Sequence, residues 1–73
     1  MKIKVKLYGE AALKHGPEIE IEVKEGTRVS DVLAMLKLSE NDHHLLINER
    51  KVSKDHPLND GDVLKVLPVV YGG

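Results

Sequence analysis

The chain opens on a strict alternation: Ile3, Val5 and Leu7 are interleaved with Lys2, Lys4, Lys6 and Tyr8. Successive side chains of an extended chain point to opposite faces, so this pattern predicts a strand with one apolar and one polar face. A second alternation follows over 18–23, where Ile19, Ile21 and Val23 are interleaved with Glu18, Glu20 and Glu22. Antiparallel pairing of the two segments sets three lysines against three glutamates on the solvent side. A slip of one residue would expose isoleucine and valine instead, so these charges mainly enforce register and solubility. Between the two strands, 9–17 holds Gly9, Gly16 and Pro17 and is expected to form a loop.

The period changes after Thr27. Val29, Val32, Leu33 and Leu36 recur at i, i+3, i+4 and i+7, one face of a helix within 28–37. Thr27 is the expected N-cap, and Asp31 in the early turns suits the positive end of the helix dipole. Ser39 to Asp42 reads as a polar loop, Leu45 to Ile47 as a short strand, and Asn48 to Lys51 as a turn into Val52. The stretch 56–62 is dense in turn residues, and Val63 to Leu67 forms the last strand. This order predicts an α+β fold of two layers, a mixed four- to five-stranded sheet packed on one main helix. The first and last strands are natural central neighbours. Such a pattern is that of a β-grasp, the ubiquitin-like roll, with a domain over 1–67 and a flexible tail over 68–73.

Composition narrows the chemistry. A chain of 73 residues holds one domain and buries roughly 60% of its unfolded surface, too little for a deep enzymatic cleft. Eleven basic against twelve acidic residues leave a net charge of −1, which argues against a broad nucleic-acid surface or a polybasic membrane anchor. The absence of cysteine removes disulfides, thiolate nucleophiles and thiolate ligands together. Apolar runs are far too short for a membrane span or a signal peptide, so a cytoplasmic location is expected.

Conventional sites fail on inspection. Neither a GxGxxG nor a GK[ST] cradle is present. With Gly61 in the glycine position of a calcium loop, the first, third and twelfth positions fall on His56, Leu58 and Leu67, which lack carboxylates. His43 and His44 are adjacent on a strand and point apart, and with His15 and His56 they suggest no metal site. Ser30, Ser39 and Ser53 lack a His/Asp arrangement for nucleophilic catalysis.

The carboxyl end, Tyr71-Gly72-Gly73, is different. Glycine lacks a β-carbon, so such an end can thread a narrow channel and present its α-carboxylate without steric cover. A carboxylate is a poor electrophile, and acyl transfer from it requires activation, ordinarily as an acyl-adenylate. Sulfur or an amine then displaces AMP.

The element order and the stretch DHPLNDGDVLKVLPVVYGG over 55–73 resemble the MoaD/ThiS sulfur carriers. The likeness is greatest to the small subunit of molybdopterin synthase, with its HPLxDGD turn, apolar strand, proline-valine stretch and terminal Gly-Gly. The resemblance implies that the Gly73 carboxylate is adenylated by a ubiquitin-activator-like enzyme using ATP. A sulfur donor protein then converts it to a thiocarboxylate for molybdenum- or tungsten-pterin synthesis. Gly72 is the threading partner, and the chain is a sulfur-carrying substrate with no bound cofactor. The implied partners include the synthase large subunit, with no nucleic acid and no membrane. Val69 and Tyr71 depart from the second proline and the small residue usual in synthase subunits. Thiamine-pathway carriers and ubiquitin-like modifiers joined through Gly73 to lysines share the same activation chemistry. Alternation further places Leu46 and Leu67 on the outer sheet face as an exposed apolar pair. With Pro68, Val70 and Tyr71 they form the expected partner surface.

Overall fold

In a computed structural model, which describes residues 1–69, the two alternating segments pair antiparallel as β1 (Lys2–Leu7) and β2 (Glu18–Glu22). The register sets Lys2 opposite Glu22, Lys4 opposite Glu20 and Lys6 opposite Glu18. Ile3, Val5 and Leu7 are thereby buried on the other face. The remaining strands are β3 (His43–Ile47), β4 (Arg50–Lys51) and β5 (Val63–Pro68). Their order in one mixed sheet is β2-β1-β5-β3-β4. β1 and β5 run parallel as central neighbours, while β3 pairs antiparallel with β5 and with β4.

One face of this sheet is covered by the main helix, α2 (Val29–Leu36), which buries the four residues of its apolar stripe, Val29, Val32, Leu33 and Leu36. They pack in one cluster with Ile3, Val5, Leu7, Leu45, Ile47, Leu58, Leu64 and Val66. Helix on mixed sheet in this order is the β-grasp arrangement. The helix stops where Lys37 turns left-handed at φ 58°. There the Leu38 N–H bonds the Leu33 carbonyl at 2.9 Å, and Leu38 folds back against the core.

Several local expectations change. The segment 9–17 is not a loop throughout but contains a second helix, α1 (Glu10–His15). Its residues are good helix formers, and glycines mark both ends. Gly9, at φ 62° and ψ −136°, turns the chain out of β1, and its carbonyl accepts from the N–H groups of Ala12 and Leu13. Six residues are too few for a helical period to show in sequence. The N-cap of α2 is Arg28 rather than Thr27: the Arg28 N–H donates to the Asp31 carboxylate at 2.9 Å. The Thr27 carbonyl is engaged instead by the N–H of Leu58. Glu40–Asp42 forms a 3-10 turn, with the Ser39 hydroxyl accepting from the Asn41 N–H. β3 begins two residues before the expected Leu45, and β5 reaches one residue beyond Leu67.

Candidate functional site

The HPLNDGD stretch is a structural clasp. Its His56 carbonyl accepts from the Val29 N–H at 3.0 Å, and its Leu58 N–H donates to the Thr27 carbonyl at 2.9 Å, tying the turn to the start of α2. Leu58 itself enters the core. Asp60 accepts from the Lys2 N–H at 2.7 Å, and the Gly61 N–H donates to the Lys2 carbonyl at 2.9 Å. Gly61 has φ 84°, a conformation in which a side chain would be strained. Asp62 is buried and accepts from the Asn59 N–H at 2.8 Å and from Asn48 Nδ2 at 3.1 Å. Both carboxylates of the motif therefore hold backbone and a neighbouring amide. They fix the start of β5 between β1 and β3, which sets the line along which the chain leaves the sheet.

At the far end of β5, Pro68 lies opposite His43, and the Val69 N–H donates to the Asp42 carbonyl at 2.9 Å. Pro68 also approaches Gly9 closely: a β-carbon there would sit 3.5 Å from its Cγ. The chain thus departs beside the β1–α1 corner. Val70, Tyr71, Gly72 and Gly73 lie outside the described residues.

The outer face of the sheet carries the other expected residues. Leu46 and Leu67 share this face, as alternation requires, since Leu45, Ile47, Leu64 and Val66 are buried on the opposite one. They are not directly paired and not fully exposed. Leu46 lies opposite Lys65 and Leu67 opposite His44, which makes the two leucines diagonal neighbours, each half-buried. The expectation of an exposed pair is corrected to this half-buried diagonal. Lys65, the register partner of Leu46, has its ammonium ion-paired with Glu49. That hydrogen bond to Glu49 holds the Lys65 amine above the ordinary lysine range, against a smaller lowering by burial. Tyr8, exposed just beyond the end of β1, continues the outward-facing series of Lys2, Lys4 and Lys6. The large apolar residues that do stand exposed include Leu13 and Met35, on the helices.

Two of the histidines, His15 and His43, serve local structure. A carbonyl can only accept, so His15 Nε2 carries a proton toward the Leu36 carbonyl at 3.1 Å, joining α1 to the end of α2. His43 Nδ1 likewise donates to the Ser39 carbonyl at 2.7 Å. Among the described residues no group of three or more His, Asp or Glu is placed to hold a metal ion, and no helix is long and apolar enough to cross a membrane.

Comparison with known proteins bears on the whole chain. The model of the ThiS family matches residues 5–73. Among solved structures, a putative molybdopterin converting factor subunit 1 from Pyrococcus furiosus is 35% identical, with a TM-score of 0.81 over 96% of this chain and 99% of that one. A ubiquitin-like protein from Caldiarchaeum subterraneum is 26% identical, with a TM-score of 0.61 over 99% of this chain and 100% of that one. A chain from the complex of subunits 1 and 2 of the Helicobacter pylori molybdopterin-converting factor is similar in fold. It is 24% identical, with a TM-score of 0.69 and 100% of both chains covered.

Proposed function

This chain belongs to the ThiS family, and from that premise we propose that it is a sulfur carrier whose reactive group is the α-carboxylate of Gly73. An adenylating enzyme supplies ATP chemistry: the carboxylate attacks the α-phosphate, pyrophosphate leaves, and an acyl-adenylate forms. Hydrosulfide, or its equivalent on a sulfur donor protein, then attacks the acyl carbon. A C–S bond forms, the C–O bond to AMP breaks, and AMP and a proton leave behind a thiocarboxylate. Gly72 lets the end enter a narrow active site because it adds no side chain. Leu46, Leu67, Pro68, Val70 and Tyr71 form the docking surface.

The observation that carries this reading is the family match, which runs through the diglycine, together with 35% identity to a putative molybdopterin converting factor subunit. The same identity favours molybdenum- or tungsten-pterin synthesis as the pathway, with a synthase large subunit as acceptor, ahead of thiamine synthesis. A second reading, conjugation of Gly73 to lysines of other proteins, draws support from the likeness to the ubiquitin-like protein of Caldiarchaeum subterraneum.

Intact-mass spectrometry of the chain recovered from its host, with its C-terminal peptide sequenced, separates these. One oxygen-to-sulfur exchange at Gly73 is the expected result, and deletion of Gly73 removes it. Isopeptides from Gly73 to lysines favour the second reading. A chain left unmodified by ATP, sulfide and its cognate adenylating enzyme overturns the sulfur-carrier reading.

A further inference from the structure

Pairing with β1 satisfies only half of the β2 backbone. The Leu7 N–H donates to the Pro17 carbonyl at 2.9 Å, and the Val23 N–H donates to the Met1 carbonyl at 2.8 Å. Bonded pairs alternate along an antiparallel ladder. Between these two points Ile19 and Ile21 therefore bond to β1, opposite Val5 and Ile3. Glu18, Glu20 and Glu22 turn their N–H and C=O groups the other way. β2 is the outermost strand on that side of the sheet, and among the described residues nothing else bonds these groups.

The side chains at this edge are unfinished in the same sense. Val5 and Ile3 are fully buried, whereas their register partners Ile19 and Ile21 are only half-buried. The apolar layer on the helix side of the sheet thus runs out to the edge and stops there. On the outer face stand three exposed glutamates. Glu20 and Glu18 approach Lys2 and Lys4 at 4.0 and 3.9 Å, yet their side chains stay 57% and 50% exposed. A carboxylate has room for a second donor. Edge strands are often blunted by proline, a bulge or an inward-pointing charge; the run 18–22 has an unbroken register and holds none of these. Charge alone guards it. A second copy of the chain, paired antiparallel through its own β2, would set glutamate against glutamate on the same face, which is unfavourable. The occupant that fits carries the opposite charge.

We propose that the β2 edge takes an extended segment of a partner protein in which lysine or arginine alternates with apolar residues. Added as a sixth strand, it bonds the outward backbone groups of Glu18, Glu20 and Glu22. Its cations lie over the three carboxylates, and its apolar side chains complete the layer at Ile19 and Ile21. β1 and β5 separate this edge from β3, so the segment leaves Leu46 and Leu67 open to another partner. The proposal does not depend on the sulfur-carrier reading.

The test is an NMR titration of the full chain with a capped peptide alternating lysine and valine, KVKVKVK, and with its acidic counterpart EVEVEVE. In the free chain the amides of Ile19, Ile21 and Val23 exchange slowly and those of Glu18, Glu20 and Glu22 fast. The lysine peptide should bind and slow exchange at those three glutamates, and the acidic peptide should bind at least about tenfold more weakly. Glu20→Pro removes an outward N–H and no bond to β1, a change an edge strand tolerates. It should weaken binding about tenfold or more, while Glu20→Gln, which keeps the N–H, weakens it only about threefold. Urea unfolding checks that both variants fold, and the exchange pattern needs no variant at all. No binding of the lysine peptide overturns the proposal. So do equal binding of the two peptides, unchanged exchange at Glu18, Glu20 and Glu22, or shifts centred instead on Leu46 and Leu67.

Discussion

Asn48 Nδ2 donates to Asp62 Oδ1 across 3.1 Å, joining two residues 14 positions apart at the point where β5 begins. The same Asn48 side chain accepts from the Val63 N–H at 3.1 Å, and its own backbone N–H donates to the Val63 carbonyl at 3.0 Å. Asn48 has φ 50°, a conformation that asparagine tolerates better than most residues. One residue thus shapes the β3–β4 turn and seats the last strand through the buried carboxylate of Asp62.

Replacing Asp62 with Ala is expected to cost about 1–3 kcal/mol, because it strands the Asn59 N–H and the Asn48 amide together. Urea unfolding measures it. A double-mutant cycle with Asn48→Ala should show coupling of about 1 kcal/mol, and additive losses would mean that the two residues act independently.

Gly9 tests the corner beside the departing chain. Its φ of 62° and ψ of −136° are open to glycine and strained for other residues, whereas Pro68 is far enough away to accept a β-carbon. Gly9→Ala should therefore lose about 1–3 kcal/mol through backbone strain alone. Pro68→Ala in the same background should not restore it, as it would if the cause were a clash.

Two leucines of equal size should respond very unequally. Leu64 is 0% exposed at the centre of the sheet and Leu13 is 89% exposed on α1. Leu64→Ala is expected to cost about 2–5 kcal/mol. Leu13→Ser should stay within about 0.5 kcal/mol, measured by the same unfolding curves.

Alkaline pH offers an independent check on the ion pairs. Hydrogen bonds from Lys54 to Glu40 and from Lys65 to Glu49 raise both amines above their ordinary value. Their contribution is then fully present below about 10.4, the unfolded lysine pKa, and is lost as pH rises through the higher folded values. Both amines are solvated, so the effect is small. The thermal midpoint of wild type should fall more over that range than that of a Lys54→Met/Lys65→Met variant, and parallel curves would refute the assignment.

Sequence by itself determined the layers of this fold. Alternation at Ile3, Val5 and Leu7, and the i, i+3, i+4, i+7 spacing from Val29 to Leu36, specify the buried side of each element, because facing direction is a local property of backbone period. The motif over 56–62 and the diglycine were equally legible, being contiguous. What was not legible was short or non-local. α1 has too few residues for a period, and whether Arg28 or Thr27 caps α2 depended on where Leu58 docks. Tertiary structure alone decided that Asp62 meets Asn48 and that Leu46 and Leu67 lie diagonal rather than opposite. Each of these follows from how β1, β3 and β5 are laid side by side. Strand register is a global packing solution, and residues far apart in the chain become neighbours only once it is reached.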